Sequence, residues 1–139
     1  MDAPSCSEGR SFRDNLNGET PRDWRQSMYY RYWTHHKIRP AHMGIRNHRY
    51  KLMFLYGDPL NATGSDKAPV TPSWEFYDLL ADPHEDHNVY SSPAYAGEIE
   101  KMKRELLQLR REVGDTDAAT PRMQEILDKY YCCLLYTSD

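Results

Sequence analysis

Apolar residues recur at alternating spacings of three and four from Ile99 through Met102, Leu106 and Leu109 to Val113. That rhythm places all five on one stripe of an α-helix. A helix with one apolar stripe is marginal alone in water, so the segment requires a surface to pack on. Its boundaries are also legible. Ser92 can cap it, and Pro93 suits the first helical position because its missing N–H has no intrahelical partner there. Gly114 follows as a left-handed stop, and Arg110 and Arg111 lie where the helix dipole favours cations. The expectation is a helix over residues 93–113, with the five stripe residues inward and Lys103 and Arg110 in solvent. The stripe also resembles a coiled-coil seam, but it is short for one, so packing on a sheet is preferred.

The partner surface lies upstream. Residues 27–33 read as a strand with Met28, Tyr30 and Tyr32 on one face and Tyr29, Arg31 and Trp33 on the other. Residues 43–46 and 50–56 read as two more, joined by Asn47-His48-Arg49, which is short enough for a hairpin. Leu52-Met53-Phe54-Leu55 is apolar on both faces, as expected of a central strand. Residues 74–79 read as a fourth strand, after a long Gly- and Pro-containing loop over 57–73. A shorter helix is expected over 121–131, capped by Thr120. Eleven Tyr, three Trp and three Phe suit a sheet with one wet face, because such rings bury area yet keep a polar edge. The fold class expected is α+β: a small antiparallel sheet of about four strands packed against a long C-terminal helix.

Three regions follow from this layout: a loop-rich 1–26, a folded 27–131, and 132–139. The last stretch, Cys132 to Asp139, has no period and no cap, and it is similar to translated sequencing-adapter sequence. The three cysteines, Cys6, Cys132 and Cys133, make neither a disulfide framework nor a zinc site. No apolar run is long enough to span a membrane, and Met1 to Arg10 lacks the pattern of a signal peptide. Net charge is −3, but from Arg10 to Lys51 ten Lys or Arg stand against three acids. A basic first third suggests an anionic ligand on one face.

Several motifs bear on possible chemistry. His84-Glu85-Asp86-His87 is not a zinc-protease motif, because its histidines are three apart rather than four. Asp78 and Asp82 have calcium-loop composition. Asp82-Pro83 is nevertheless turn chemistry, with Glu85 and Asn88 able to bond local backbone, so no metal ligand is assigned. Asn61-Ala62-Thr63 is a formal glycosylation sequon, read as coincidence.

The ordered set Gly9-Arg10-Ser11-Phe12, Trp24-Arg25, Met28-Tyr29-Tyr30, His42-Met43-Gly44-Ile45-Arg46, Arg49-Tyr50-Lys51-Leu52 and Trp74-Glu75-Phe76-Tyr77-Asp78-Leu79 is distinctive. Asp82-Pro83, Glu85, Asn88 and Pro93-Ala94-Tyr95 complete it. In that order these elements resemble the C-terminal subdomain of formylglycine-dependent sulfatases, in particular bacterial members grouped with N-sulfoglucosamine sulfohydrolase and related glycan sulfatases. Met43 departs from the Tyr often found there, and Asn47 from the Thr.

The resemblance implies a parent enzyme, a sulfuric ester hydrolase acting on sulfate esters or N-sulfates of glycans. A sulfate ester repels nucleophiles, so its hydrolysis needs cations and an activated oxygen. In the family that oxygen comes from a formylglycine made within Cys-x-Pro-x-Arg, beside a calcium ion. Both would lie in a catalytic domain absent from these residues, with 1–26 as the linker from it. Cys6-Ser7-Glu8-Gly9-Arg10 has Cys and Arg at the right separation but Glu8 where Pro is required. No catalytic residue and no metal ligand are therefore assigned within the chain. The substrate-binding candidates are His42, which by resemblance reaches over the cleft toward the sugar, and Arg46, whose guanidinium fork matches sulfate oxygens. The implied partners are the chain's own N-terminal catalytic domain and a sulfated carbohydrate. Neither nucleic acid nor membrane is expected, and the parent is expected to be periplasmic or secreted. The alternative is a stand-alone binding module for sulfated glycan or another polyanion.

Overall fold

The computed structural model describes Ser5, Ser7 and residues 9–131. Cys6 and Glu8 of the near-motif, and the tail from Cys132, lie outside the described residues. A single helical turn, α1 (Arg13–Leu16), precedes four strands: β1 (Met28–Tyr32), β2 (His42–Arg46), β3 (Tyr50–Leu55) and β4 (Ser73–Asp78). They form one antiparallel sheet in sequence order. A 3₁₀ turn over Pro93–Tyr95 runs directly into α2 (Ala96–Glu112), and after a second 3₁₀ turn, Asp117–Ala119, comes α3 (Pro121–Tyr130). The expected α+β layout is the observed one. No helix among the described residues is long and apolar enough to cross a membrane.

Alternation along the strands sorts the sheet into two faces. Met43, Ile45, Leu52, Phe54, Trp74 and Phe76 are buried and share one core with Ile99, Met102 and Leu106 of α2 and Met123 and Ile126 of α3. The second face carries Met28, Tyr30 and Tyr32 from β1, then His42, Gly44 and Arg46, then Lys51, Met53 and Leu55, then Ser73, Glu75 and Tyr77. The cross-strand pairs Tyr32 with His42, Tyr30 with Gly44 and Met28 with Arg46 fix this arrangement. The hairpin between β2 and β3 is closed by Asn47, whose N–H donates to the Tyr50 carbonyl at 3.0 Å while its side-chain oxygen accepts from the Arg49 and Tyr50 amides.

Several expectations are corrected. Thr120 makes no side-chain cap to the short helix, and Ser92 does not cap the long helix with its side chain. The first turn tightens to 3₁₀ instead, with the Tyr95 N–H donating to the Ser92 carbonyl. Val113 is 40% exposed, because the helix ends at Glu112 and Val113 has already left the helical path. The stop itself is as expected: Gly114 sits at φ +73, Asp115 N–H bonds the Arg110 carbonyl and Gly114 N–H bonds that of Arg111, the two bonds of a Schellman motif.

Lys103 and Arg110, expected in solvent, are 4% and 3% exposed. Both lie beside the stripe, where α3 and its preceding loop close over them. The Lys103 ammonium donates to the Tyr131 carbonyl at 2.9 Å and lies 4.3 Å from the Trp74 ring centre. Arg110 holds Asp117 with two guanidinium nitrogens at 2.7 and 3.2 Å. Burying these cations is tolerable because each has a partner. Finally, Glu85 reaches across to Lys51 at 2.5 Å instead of bonding local backbone. Asn88 does what its position suggested, accepting from the Phe76 and Tyr90 amides and donating to the Trp74 carbonyl.

Candidate functional site

His42 opens β2 on the second face of the sheet. Its ring stacks on Tyr32 at 5.4 Å between centres and meets the edge of Tyr30 at 6.1 Å. Its Nδ1 lies 2.8 Å from the Pro40 carbonyl. A carbonyl only accepts, so Nδ1 carries the proton, and in the neutral ring Nε2 is left as an acceptor. The ring is half-buried, so its position is defined while one edge stays accessible.

That position depends on two neighbours, Gly44 and His35. Gly44 lies under the Tyr30 ring: a Cβ there would meet Tyr30 Oη at 2.5 Å and the Leu52 carbonyl oxygen at 2.9 Å. Glycine therefore lets Tyr30 lie flat across β2, against His42. The Tyr30 hydroxyl is buried without a hydrogen-bond partner among the described residues, and burial pushes its pKa up, so it remains a donor. The second neighbour is His35, which is fully buried. Its Nδ1 accepts from the Ala41 N–H at 3.3 Å, and its Nε2 stands 3.0 Å from the Ala68 carbonyl. It thus pins the residue before His42 to the long loop after β3. A buried histidine with both nitrogens engaged is a structural group, and spacing alone does not separate it from His36 beside it.

Arg46 ends β2 on the same face as His42, four residues on, which is roughly 13 Å along a strand. It is exposed and has no carboxylate partner among the described residues. The two candidates therefore share a face but stand at opposite ends of it, too far apart to grip one sulfate group together. Between them and β4 the face is occupied by internal pairs. Lys51 holds Glu85, and the Tyr77 hydroxyl donates to Glu75 at 2.9 Å. Burial, with Glu75 beside it, pushes that hydroxyl up to about 12.

The helix-side face holds a second polar cluster. Asp115 accepts from Arg31 at 2.7 Å and from the Tyr29 hydroxyl, tying β1 to the end of α2. The Arg31 guanidinium lies 3.5 Å over the Trp33 ring. Burial works against the charged form of Asp115, yet the bonds from Tyr29 and Arg31 prevail and hold its pKa below the ordinary value. This cluster is internally balanced and faces the core. Among the described residues no group of three or more His, Cys, Asp or Glu is placed to hold a metal. Asp78 is taken by Arg49 at 3.0 Å and by the Tyr95 hydroxyl at 3.1 Å, and Asp82 by the amides of Asp86 and His87. The second face carries aromatic surface, a fixed imidazole and cations.

Comparison with known proteins places this arrangement. The family model for the C-terminal region of N-sulphoglucosamine sulphohydrolase matches residues 1–112. An N-acetylglucosamine-6-O-sulfatase of Bacteroides thetaiotaomicron is 34% identical over 117 residues, covering 81% of this chain and 18% of that protein. A protein solved in complex with its substrate D-glucosamine-2-N,6-O-disulfate is 30% identical, with a TM-score of 0.69, covering 84% of this chain and 22% of that one. The phosphonate monoester hydrolase of Silicibacter pomeroyi, at 22% identity and a TM-score of 0.58, covers 80% of this chain and 22% of its own, and shares the fold. The chain thus spans about a fifth of the length of these relatives. With a match over most of its residues, it belongs to the N-sulphoglucosamine sulphohydrolase C-terminal family.

Proposed function

We propose that this chain is the C-terminal subdomain of a glycan sulfatase, bordering the substrate cleft while the rest of the parent supplies the nucleophile. The observation that carries the reading is His42. Its ring is locked by the Pro40 carbonyl and the Tyr32 and Tyr30 rings, with Nε2 left for a ligand. A side chain held this firmly at a sheet end, with its second nitrogen unspent, is prepared for recognition rather than for packing. The substrate class follows from the relatives, which act on or bind sulfated glucosamines. The immediate partners are the parent's own catalytic domain and a sulfated carbohydrate. In our reading the ion that assists sulfate transfer is calcium, held by the catalytic domain.

The test uses the full-length parent, reached by extending the reading frame upstream. It should contain Cys-x-Pro-x-Arg and turn over glucosamine 6-sulfate once its cysteine is converted. His42→Ala should then lower kcat/KM by roughly tenfold or more, the loss of one hydrogen bond to bound substrate. A parent without the motif, or turnover indifferent to His42→Ala in a folded protein, would overturn the proposal.

A further inference from the structure

The link between β1 and β2 carries a feature that the candidate pair His42 and Arg46 leaves out. Residues 36–39 form a tight turn in which His36 N–H donates to the Arg39 carbonyl at 3.1 Å and Arg39 N–H returns the bond at 3.0 Å. The Arg39 guanidinium carbon lies 5.1 Å from the centre of the Tyr32 ring, the same ring on which His42 stacks. An imidazole and a guanidinium are therefore gathered against one aromatic residue at one end of the sheet.

Arg39 differs from the arginines of this chain that are engaged by aspartates. Arg31, Arg49, Arg110 and Arg122 each hold an aspartate, at distances from 2.7 to 3.2 Å. Arg39 is exposed and has no carboxylate among the described residues. Asp66, the acid that braces the turn, is engaged elsewhere: it accepts from the Lys37 N–H at 2.9 Å and faces His36 at 3.6 Å. The turn itself is stiff. His35 anchors its root from both ring nitrogens, and the Asp66 N–H donates to the His35 carbonyl at 2.7 Å. A guanidinium held against a ring keeps its N–H edges available, with little entropy left to lose on binding.

We infer that Arg39 takes the sulfate group of a sulfated sugar while His42 Nε2 accepts a hydroxyl proton from the same sugar. The division of labour follows from donors and acceptors. Sulfate oxygens only accept, and a guanidinium answers them with two parallel N–H groups. The His42 Nδ1–H is directed at the Pro40 carbonyl, so Nε2 is the acceptor offered to a ligand and a sugar hydroxyl supplies the hydrogen bond. The ligand class is a sugar carrying both a sulfate and a free hydroxyl within the reach of one ring. Arg46, at the far end of β2, is not part of this pair. The inference rests on the reading that His42 meets substrate.

The test is an NMR titration of the ¹⁵N-labelled 139-residue chain with glucosamine 6-sulfate, unsulfated glucosamine and sodium sulfate. Glucosamine 6-sulfate should shift both the Arg39 Nε and the His42 Nε2 signals. Sodium sulfate should move only the Arg39 signal. Arg39→Ala should weaken the sulfated sugar roughly ten- to a hundredfold, the loss of a charge-assisted contact, and leave glucosamine unchanged. Arg39→Lys should recover only part, since an ammonium lacks the fork. Wild-type affinity in Arg39→Ala, with loss in His42→Ala, would overturn the Arg39 assignment and leave the His42 reading standing. Loss in Arg39→Ala with none in His42→Ala would overturn the shared-sugar inference through its His42 half, and with it that earlier reading. A loss on Arg46→Ala in place of Arg39→Ala, or a wild-type chain that does not distinguish the sugar with sulfate from the one without, would also overturn the proposal.

Discussion

Lys103 shows how a single side chain can be misjudged from its position in a helical repeat. It follows Met102 directly, outside the apolar stripe, yet its stem runs under α3 and its ammonium ends against Trp74, Tyr90 and the Tyr131 carbonyl. Truncating it leaves that carbonyl buried and removes a cation from aromatic surroundings. Lys103→Ala should therefore cost about 1–3 kcal/mol, the range for leaving a buried polar group without its partner. Urea unfolding beside Lys101→Ala, an exposed neighbour, measures it; equal and small effects would contradict the burial. Asp78 is the second instructive residue. The Arg49 guanidinium beside it holds its carboxyl below the usual value, and Tyr95 adds to this. Its folded pKa thus lies below its unfolded one. Its contribution is present above the unfolded value of about 4 and is lost as the pH falls through the folded pKa. Stability should decline with acid over that window, and Asp78→Asn should start lower at neutral pH and decline less steeply.

The elements owe their places to the second partner they pack on. Ile99, Met102 and Leu106 of α2 are all 1% exposed or less, and they meet Met43, Ile45, Leu52 and Phe76 of the sheet in one core. Leu106 stands at the centre of the stripe. Leu106→Ala should cost about 2–5 kcal/mol, the usual range for a truncated buried leucine. Val113→Ala, at the exposed end, should cost far less. Urea midpoints of the two variants decide this, and similar small shifts would mean that α2 is not docked on the sheet. The strands were legible to within a residue or two because alternation and turn residues coincide. The 3₁₀ start of the long helix was not, because it depends on how Tyr95 reaches Asp78.

For the whole molecule, the described chain is a sheet with helices on one side and, on the other, a face that carries the Lys51–Glu85 and Tyr77–Glu75 pairs. We expect the isolated chain to have no sulfatase turnover, even after coexpression with a formylglycine-generating enzyme. An aryl sulfate assay against a Cys6→Ser control checks this. Turnover above the control would mean that the near-motif at Cys6 is a working site despite Glu8. Arg46 and His42, the two substrate-binding candidates, also take their places from this layout. They belong to the same short segment and the same face, and only the 3.4 Å rise per residue of a strand, roughly, separates them.

What the sequence determined by itself was periodic or tied to adjacent residues: four alternating strands, the stripe on α2, the Gly114 stop and the ordered motifs that carry the family. Those properties need only the geometry of a strand or a helix turn, which every chain shares. The tertiary structure alone decided which polar side chains are spent and which are left over. Lys103 and Arg110 are sealed by α3 and the loop before it. His35 became a buried anchor while His42, seven residues on, kept a nitrogen. Arg31 and Arg49 found aspartates while Arg39 lies against a ring. Such outcomes depend on contacts between residues up to 86 positions apart, as Tyr29 and Asp115 are, and no local pattern encodes them.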